Sequence, residues 1–349
     1  MKRRQFLQST AAIAGGLLVG CGDNGNTDLD DAPDGTGGDA EAVVTFPEEI
    51  LSDGSAYFPQ SVASGDPRPD GVILWTRIED PMSAETAVAI ELQLAVDKAF
   101  ETRVALDGQP SLGVVAEPGF DHCVKVRLEG LEEGTTYHYR FIYDASETRY
   151  SSRVGRFKTA PALDADVAVR FAVVSCQDFI GKHYNVYRRL VREDLDFFVH
   201  LGDYVYETTG DASFQQTGSD RSLSFTDEAG AIEINPGTDS AYFAARSLSN
   251  YRELYKTFRK DGDLQAMHEA TAMVAIWDDH EFSDDSWGTH ATYFDGAQDE
   301  DDPERRQNAD RAWFEYMPVD YPGDPDFVYE AGAEPFPFDM RIYRDLRFG

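Results

Sequence analysis

The chain has 349 residues, of which 42% are hydrophobic and 12% aromatic, so it can bury a large core. That length suggests about two domains. The 64 acidic residues outnumber the 31 basic ones and give a formal net charge of −33, which argues against a nucleic-acid-binding surface because such a surface needs a basic stripe. A solvated acidic coat explains most of the excess, although some carboxylates could be gathered around hard cations.

Residues 1–21 predict an export signal rather than part of the fold. Residues 2–7 carry a twin-arginine pattern, and the apolar stretch that follows is too short to span a bilayer as a mature helix. Residues 18–21 resemble a lipobox, in which Cys21 would become the lipidated first residue; a cleaved signal with an incidental cysteine is the alternative. We therefore expect twin-arginine export to the periplasm or cell surface, with the lipid as the membrane contact.

Two further features of composition concern an acidic segment and the cysteines. Residues 22–45 are rich in Asp and Gly and poor in apolar residues, which predicts a disordered acidic tether. Besides Cys21, the chain contains Cys123 and Cys176, which could pair in an oxidising compartment or remain free.

Residues 46–160 predict a β-sandwich domain. Apolar and polar residues alternate in three segments, at residues 71–78, 89–96 and 123–128, as they do in half-buried strands. Residues 131–143 look like the tyrosine-corner stretch of a fibronectin-type sandwich. No catalytic groups gather here, so we interpret this part of the chain as a scaffold or binding module.

The next part of the chain predicts a βαβ unit. Residues 171–177 and 197–203 are apolar runs that stop abruptly, and residues 185–194 between them have apolar positions at roughly helical spacing. The two strands of such a unit are parallel, and ligands bind outside their carboxyl ends. Cys176 and Asp203 both fall at that edge, which is the first indication of a metal site.

The groups at these two strand ends allow more than one interpretation. Cys176 alone could be a buried cysteine that behaves as a small apolar residue. Asp203 follows a glycine, and its carboxylate could bridge two cations, while Tyr206 could turn back to the same point as a phenolate ligand of iron(III). The alternative for Asp203 is a strand-end aspartate that caps the next turn.

A third strand runs into a dense acidic cluster. Residues 271–277 are mostly apolar, and residues 278–285 then contain five acidic groups and His280. So many carboxylates would repel one another unless a cation neutralised them. A solvated acidic loop is the alternative, but the flanking Trp277 and Phe282 indicate partial burial. We therefore favour a metal or catalytic role.

The remaining segments predict framework. Residues 241–267 form a long amphipathic pattern, typical of a core-facing helix, and another helix should run from Arg305 to near Met317. Residues 208–240 are polar and predict an insertion that could cover the site.

The order of these strand ends resembles that of the calcineurin-like metallophosphoesterases, and specifically of their alkaline phosphatase D (PhoD) family. The segments that carry the resemblance are residues 58–67, 72–77, 175–177, 200–207, 277–281 and 315–319. It implies a fibronectin-like β-sandwich followed, over residues 165–349, by a four-layer α/β/β/α metallophosphoesterase domain. Family members continue past the segment that residues 342–349 resemble, with a late Gly-Asp-x-His block. We therefore expect this domain to be incomplete at its C-terminus.

The resemblance also implies metal ligands. Cys176 and Tyr206 would bind iron(III), and Asp203 would bridge to a neighbouring calcium. Asp284 falls where relatives often carry an asparagine ligand of the second metal, and it keeps an oxygen donor. Asp279 sits where broader relatives have their asparagine ligand.

The implied function is the hydrolysis of small phosphate esters by a metal-activated hydroxide. His280 matches the histidine that steadies the phosphoryl group or protonates the leaving alcohol. We expect a monomer. Two alternatives remain at this point: a non-catalytic surface protein that keeps the fold and binds cations or ligands, and a cysteine hydrolase that uses Cys176 with a histidine.

Overall fold

The computed structural model describes residues 3–5, 7–8, 49–292, 300–320, 329–330, 340 and 342–349. The predicted lipidation site Cys21 and the predicted tether, residues 22–45, lie outside these residues. Within the described part of the chain, no helix combines the length and the apolar composition needed to cross a membrane.

The secondary structure consists of many strands and few helices. The strands are β1 (Arg3–Gln5), β2 (Leu7–Gln8), β3 (Ser52–Asp53), β4 (Val62–Arg68), β5 (Gly71–Arg77), β6 (Val88–Ala95), β7 (Arg103–Val104), β8 (Leu112–Ala116), β9 (Cys123–Glu129), β10 (Thr136–Ala145), β11 (Thr148–Ser151), β12 (Gly155–Lys158), β13 (Phe171–Val174), β14 (Phe197–His200), β15 (Ile232–Ile234), β16 (Tyr242–Ala244), β17 (Ala272–Ala275), β18 (His290–Ala291), β19 (Glu300–Asp301) and β20 (Tyr329–Glu330). The α-helices are α1 (Asn185–Leu190), α2 (Leu248–Phe258), α3 (Gly262–Ala270) and α4 (Pro303–Tyr316).

One mixed sheet joins the two halves of the chain. Its strand order is β1-β9-β5-β4-β17-β14-β13, and β17, β14 and β13 run parallel, as the predicted βαβ unit requires. The junction is the parallel pair of β4 and β17, in which Gly65 lies opposite Met273. Hydrogen bonding therefore continues without a break from the N-terminal region into the parallel strands that carry the predicted site.

A second sheet packs on the N-terminal part of the first. Its order is β3-β11-β10-β6-β7, with β8 added to β6 and β12 to β10. Leu92, Leu94 and Phe141 from this sheet share an apolar core with Leu74 and Val126 from the first. The predicted β-rich N-terminal region is therefore confirmed.

A tyrosine near the start of β10 makes the hydrogen bond expected of a tyrosine corner. The backbone N–H of Glu132 donates to the hydroxyl of Tyr137 at 3.0 Å. This bond ties the tyrosine back to the chain a few residues upstream, as in fibronectin-type sandwiches.

The opposite face of the first sheet is covered by α2 and α4. The prediction of one long helix over residues 241–267 is wrong, because β16 comes first and α2 ends at Phe258. The carboxylate of Asp261 then accepts hydrogen bonds from the N–H groups of Asp263 and Leu264 and begins α3 as a separate helix. The helix predicted from Arg305 is present as α4.

Strand β13 lies at the edge of the first sheet, and one of its faces is poorly covered. Phe171 and Val173 are each 53% exposed. Residues 342–349 cross part of this face, where Phe348 stacks on Phe197 with a 4.2 Å separation of ring centroids and Arg344 forms a buried ion pair with Asp66.

Candidate metal centre

Three parallel strands end at the same edge of the sheet, and the loops after them carry the predicted site residues. Cys176 follows β13, Asp203 follows β14, and residues 278–285 follow β17. The N–H of Cys176 donates to the carbonyl of Gly202 at 3.2 Å, and the N–H of Gln177 donates to the carbonyl of Asp203 at 2.9 Å. The first two loops therefore run side by side.

The backbone of these loops adopts uncommon conformations. Cys176 and Asp203 have φ angles of 58° and 55°, in the left-handed region that non-glycine residues seldom occupy. Gly202 has a φ of 101°, and a Cβ there would lie 2.3 Å from the backbone nitrogen of Asp278. Glycine therefore allows the β14 loop to touch the β17 loop. Such local strain is often found at functional sites.

Two groups of side chains bring potential ligand atoms within 4.8 Å of one another. One is Asp203, Asp279 and His280, and the other is Asp279, Asp284 and Asp285. Because Asp279 belongs to both, the two groups are adjacent. Oδ1 of Asp203 is buried and accepts no hydrogen bond from any described residue, so a lone pair is free for a cation. The donor set, mostly carboxylate oxygen, fits hard cations such as calcium.

Cys176 and Tyr206 lie against the first of these groups without belonging to either. The hydroxyl of Tyr206 donates to Oδ2 of Asp203 at 3.3 Å. The hydroxyl of Ser175 lowers the pKa of the Cys176 thiol, but burial and the Asp203 carboxylate raise it, and the net direction is upward. Burial, followed by Asp203, also raises the pKa of Tyr206. A bound cation would reverse both trends, since metal ligands bind deprotonated.

Two fully buried glutamates support the site, and the sequence prediction gave neither of them a role. The carboxylate of Glu207 accepts hydrogen bonds from Nδ1 of His280 and from the N–H of Asp284, each at 2.8 Å. Glu281 accepts three bonds from backbone N–H groups in the β14 and β17 loops. The sequence does not distinguish Glu281 from the other four acidic residues of its cluster, and no local pattern predicts that Glu207 is buried.

Burial and charge shift the pKa values of the site in opposite directions. Burial lowers the pKa of His280, but the hydrogen bond and charge of Glu207 raise it, to about 9. Burial raises the pKa of Asp203, of Asp284 and, to about 8, of Glu281. The surroundings of these carboxyl groups therefore disfavour their ionised form. A bound cation would stabilise that form and lower their pKa values.

A cavity of about 660 Å³ opens beside the candidate ligands. The candidate site residues Cys176, Tyr206, His280 and Asp284 form part of its lining. The rest of the lining is largely aromatic or apolar and includes Tyr184, Tyr187, Val186 and Phe214, together with Lys182. Phe214 belongs to the predicted insertion, and its ring centroid lies 5.7 Å from that of His280. The cavity has room for a small molecule next to the carboxylates.

Comparisons with known proteins agree with the resemblance inferred from the motifs. Residues 171–349 match the family model described as PhoD-like phosphatase, and residues 46–161 match that of the PhoD-like phosphatase N-terminal domain. Alkaline phosphatase D of Bacillus subtilis (strain 168) is 31% identical over 363 residues, which cover 98% of this chain and 54% of that protein. A solved structure described as "Structure of PhoD" matches with a TM-score of 0.65 at 31% identity.

That structural match covers 84% of this chain and 50% of the solved chain. The chain therefore spans about half the length of the curated relative it matches. The two family models cover both predicted folded regions and follow each other in the order that the motifs predicted. The chain belongs to the PhoD-like phosphatase family.

Proposed function

We propose that this protein is a metal-dependent phosphoesterase. The observation that carries the proposal is the convergence of Asp203, Asp279 and His280, from two separate strand ends, within 4.8 Å of one another. Membership of the PhoD-like phosphatase family supports it, as does the name of the Bacillus subtilis relative. Substrates would be small phosphate esters, either monoesters or diesters, bound in the neighbouring cavity.

The donor atoms divide into two kinds. Cys176 and Tyr206 would hold iron(III) together with Asp203, because they supply a sulfur and a phenolate donor next to its carboxylate. Asp279 and Asp284 would hold calcium together with Asp203, because all three supply carboxylate oxygen, which calcium prefers. When bound, the metal ions would supply positive charge that acidifies a water molecule and neutralises the phosphoryl oxygens.

His280 is the group that would move a proton. Glu207 holds its Nδ1, and its Nε2 lies 3.5 Å from Asp284, beside the cavity. A protonated Nε2 could bind a phosphoryl oxygen or donate its proton to the departing alcohol. Tyr206 and Phe214 flank the imidazole, with the ring centroid of Tyr206 at 4.2 Å, and would exclude water from one side of it.

We also propose twin-arginine export and a lipid anchor on Cys21. Support comes from the residue pattern at positions 2–7 and 18–21. We propose further that the fold comprises a fibronectin-like sandwich and a four-layer phosphoesterase domain. The tyrosine-corner hydrogen bond of Tyr137 supports the fibronectin-like sandwich. A monomer without a nucleic-acid-binding surface agrees with the strong negative charge.

The test is hydrolysis of p-nitrophenyl phosphate and of bis(p-nitrophenyl) phosphate by the purified protein, before and after chelation, together with elemental analysis. We expect bound metal and activity that chelation abolishes. Asp203→Asn should lose both. Asp196→Asn is the matched control, because Asp196 accepts the N–H of Arg170 and pairs with Lys158 at the amino ends of β13 and β14, away from the candidate ligands. It should keep both.

Two other outcomes would overturn the proposal. Calcium binding without turnover would favour the non-catalytic surface protein. Activity that survives chelation but is lost on thiol alkylation would favour a cysteine hydrolase that uses Cys176.

A further inference from the structure

Glu281 lies between the two loops that supply the proposed metal ligands. Its side chain is only 3% exposed. Oε2 accepts hydrogen bonds from the N–H of Asp203 at 3.0 Å and of Asp278 at 2.8 Å, and Oε1 accepts one from the N–H of Tyr204 at 2.6 Å. One carboxylate therefore binds the loop after β14 and the loop after β17 at the same time.

The partners of Glu281 are all backbone groups. Among the described residues, no Lys, Arg or His forms an ion pair with it. A buried carboxylate without a counter-ion is costly unless several donors compensate its lost hydration. Three N–H groups directed at one side chain offset part of that cost, and they connect parts of the chain far apart in sequence. The arrangement holds the two loops together rather than neutralising a charge.

Glu281 bonds to the backbone of one proposed metal ligand and to the residue next to another. Glu281 binds the N–H of Asp203 itself, where the backbone is left-handed, and the N–H of Asp278, next to Asp279. The side chains of Asp203 and Asp279 meet within 4.8 Å although they come from different loops. The distance between these two side chains therefore depends on the distance between the two loops. Gly202 and Asp278 are already packed closely, so the loops cannot move nearer to each other.

We propose that Glu281 is a positioning residue, which sets the metal affinity of the site by fixing the β14 loop against the β17 loop. The inference rests on the proposed metal centre but needs no assumption about the substrate. Loss of partners that orient metal ligands typically lowers metal affinity by about 10- to 100-fold. We expect a loss of this size, with the fold retained.

The test variant is Glu281→Gln, which keeps the size of the side chain but replaces one acceptor oxygen with an NH₂ group that faces an N–H donor. Calcium alone, titrated calorimetrically into metal-free protein, is the probe. We expect its Kd to rise about 10- to 100-fold. With p-nitrophenyl phosphate, kcat should fall while KM changes little, because the substrate cavity is not altered.

Asp196→Asn is the matched control. Asp196 also accepts a backbone bond, from the N–H of Arg170 at 2.7 Å, but at the amino ends of β13 and β14, away from the proposed ligands; unlike Glu281, it also forms an ion pair with Lys158. It should lower the melting temperature without changing the Kd for calcium. Glu281→Asp, which is too short to reach both loops, should weaken binding in the same direction and gives a second measurement should Glu281→Gln not fold.

The outcomes separate this inference from the proposed function. A Glu281 variant that melts earlier yet binds calcium with the wild-type Kd would show a purely structural role and overturn the inference. Wild-type protein that binds no calcium would overturn it too. Wild-type protein that binds calcium but hydrolyses no ester would remove the proposed function, while a raised Kd in Glu281→Gln would still support the positioning role.

Discussion

Nδ1 of His280 lies 2.8 Å from Oε2 of Glu207, and the other ring nitrogen lies 3.5 Å from Asp284, which lines the same cavity as His280. Glu207 is completely buried, and it also accepts the backbone N–H of Asp284. An ionised carboxylate can only accept hydrogen bonds, so Nδ1 carries a proton in this pair. Glu207 therefore fixes the orientation of the imidazole and, when the ring is neutral, its tautomer.

Replacement of Glu207 by glutamine should lower the pKa of His280. In the metal-free protein, burial lowers this pKa and Glu207 raises it to about 9, so Glu207→Gln should return it towards or below its ordinary value of 6.5. NMR titration of the histidine signals measures the change. A pKa that stays near 9 in the variant would show that other carboxylates, such as Asp203 and Asp279, hold the charge.

The same shift predicts how stability depends on pH. Because the folded pKa of His280 lies above 6.5, its stabilising effect is complete below about pH 6.5 and is lost as the pH rises through about 9. Glu207→Gln should therefore cost about 1.5–3 kcal/mol of unfolding free energy in mildly acidic solution and clearly less above about pH 9. Denaturant titrations of the metal-free wild type and variant, in mildly acidic solution and above about pH 9, measure the two differences in unfolding free energy.

Alanine at position 202 should force two loops apart. Gly202 has a φ of 101°, and a Cβ added to it would lie 2.3 Å from the nitrogen of Asp278, whereas Gly237 has a φ of 73° and open space around it. Gly237→Ala should therefore cost only about 1–2 kcal/mol for its backbone conformation. Gly202→Ala should cost about 1–3 kcal/mol more, because the added methyl group also overpacks the contact.

Urea titration of both glycine variants measures these costs, and calcium titration reports the effect on the site. We expect weaker calcium binding in Gly202→Ala alone. Equal unfolding free energies in the two variants would mean that the loops can separate without cost, and the close contact of Gly202 would then have no role in the site.

The strands that carry the site could be predicted because each one is a local pattern. The apolar runs before Cys176, Asp203 and Asp278 correspond to β13, β14 and β17, and parallel strands of one sheet bring their carboxyl ends together. The helix-start signal at Asp261, which caps α3, is equally local, so the boundary between α2 and α3 within residues 241–267 could also have been predicted from the sequence.

The supporting contacts could not be predicted in this way. Glu207 and Glu281 bind groups that are distant along the chain, and an acidic side chain in a sequence does not reveal which backbone N–H it will meet. The pairing of β4 with β17 could not be predicted either, because nothing in the sequence around Gly65 indicates that it pairs with Met273. Such features depend on the packed tertiary structure rather than on periodicity or turn residues.

The two described cysteines should react very differently with alkylating agents. Both are free, and Cys123 is completely buried. For Cys176, Ser175 lowers the thiol pKa, but burial and Asp203 raise it above its ordinary value of 9.0 overall. In metal-free protein, iodoacetamide should therefore label Cys176 half-maximally only above about pH 9, and Cys123 only after unfolding.

Peptide mass spectrometry after labelling from about pH 7 to about pH 11 identifies each modified cysteine. Addition of metal should protect Cys176 if its sulfur becomes a ligand. Half-maximal labelling of Cys176 near neutral pH would instead reveal an activated thiolate, which a cysteine hydrolase requires and the metal centre does not.

The two halves of the chain should unfold together. Trp75, on β5 of the N-terminal region, is completely buried, and its indole N–H donates to the carbonyl of Glu315 in α4 at 2.8 Å. The guanidinium of Arg259 lies 4.0 Å from the centre of the same ring. Together with the sheet shared through β4 and β17, these contacts make the boundary between the halves part of a common core.

Trp75→Ala should therefore destabilise the whole protein by about 3–5 kcal/mol, the usual cost of removing a buried tryptophan. Calorimetry of the wild type should show one transition, and the variant should show one transition at a lower temperature. Leu92→Ala, deep in the core between the two β-sheets, is the comparison, and it should shift the same single transition. If Trp75→Ala instead lowered one of two separate transitions, the halves would be independent domains, and the strand pairing between Gly65 and Met273 would contribute little to stability.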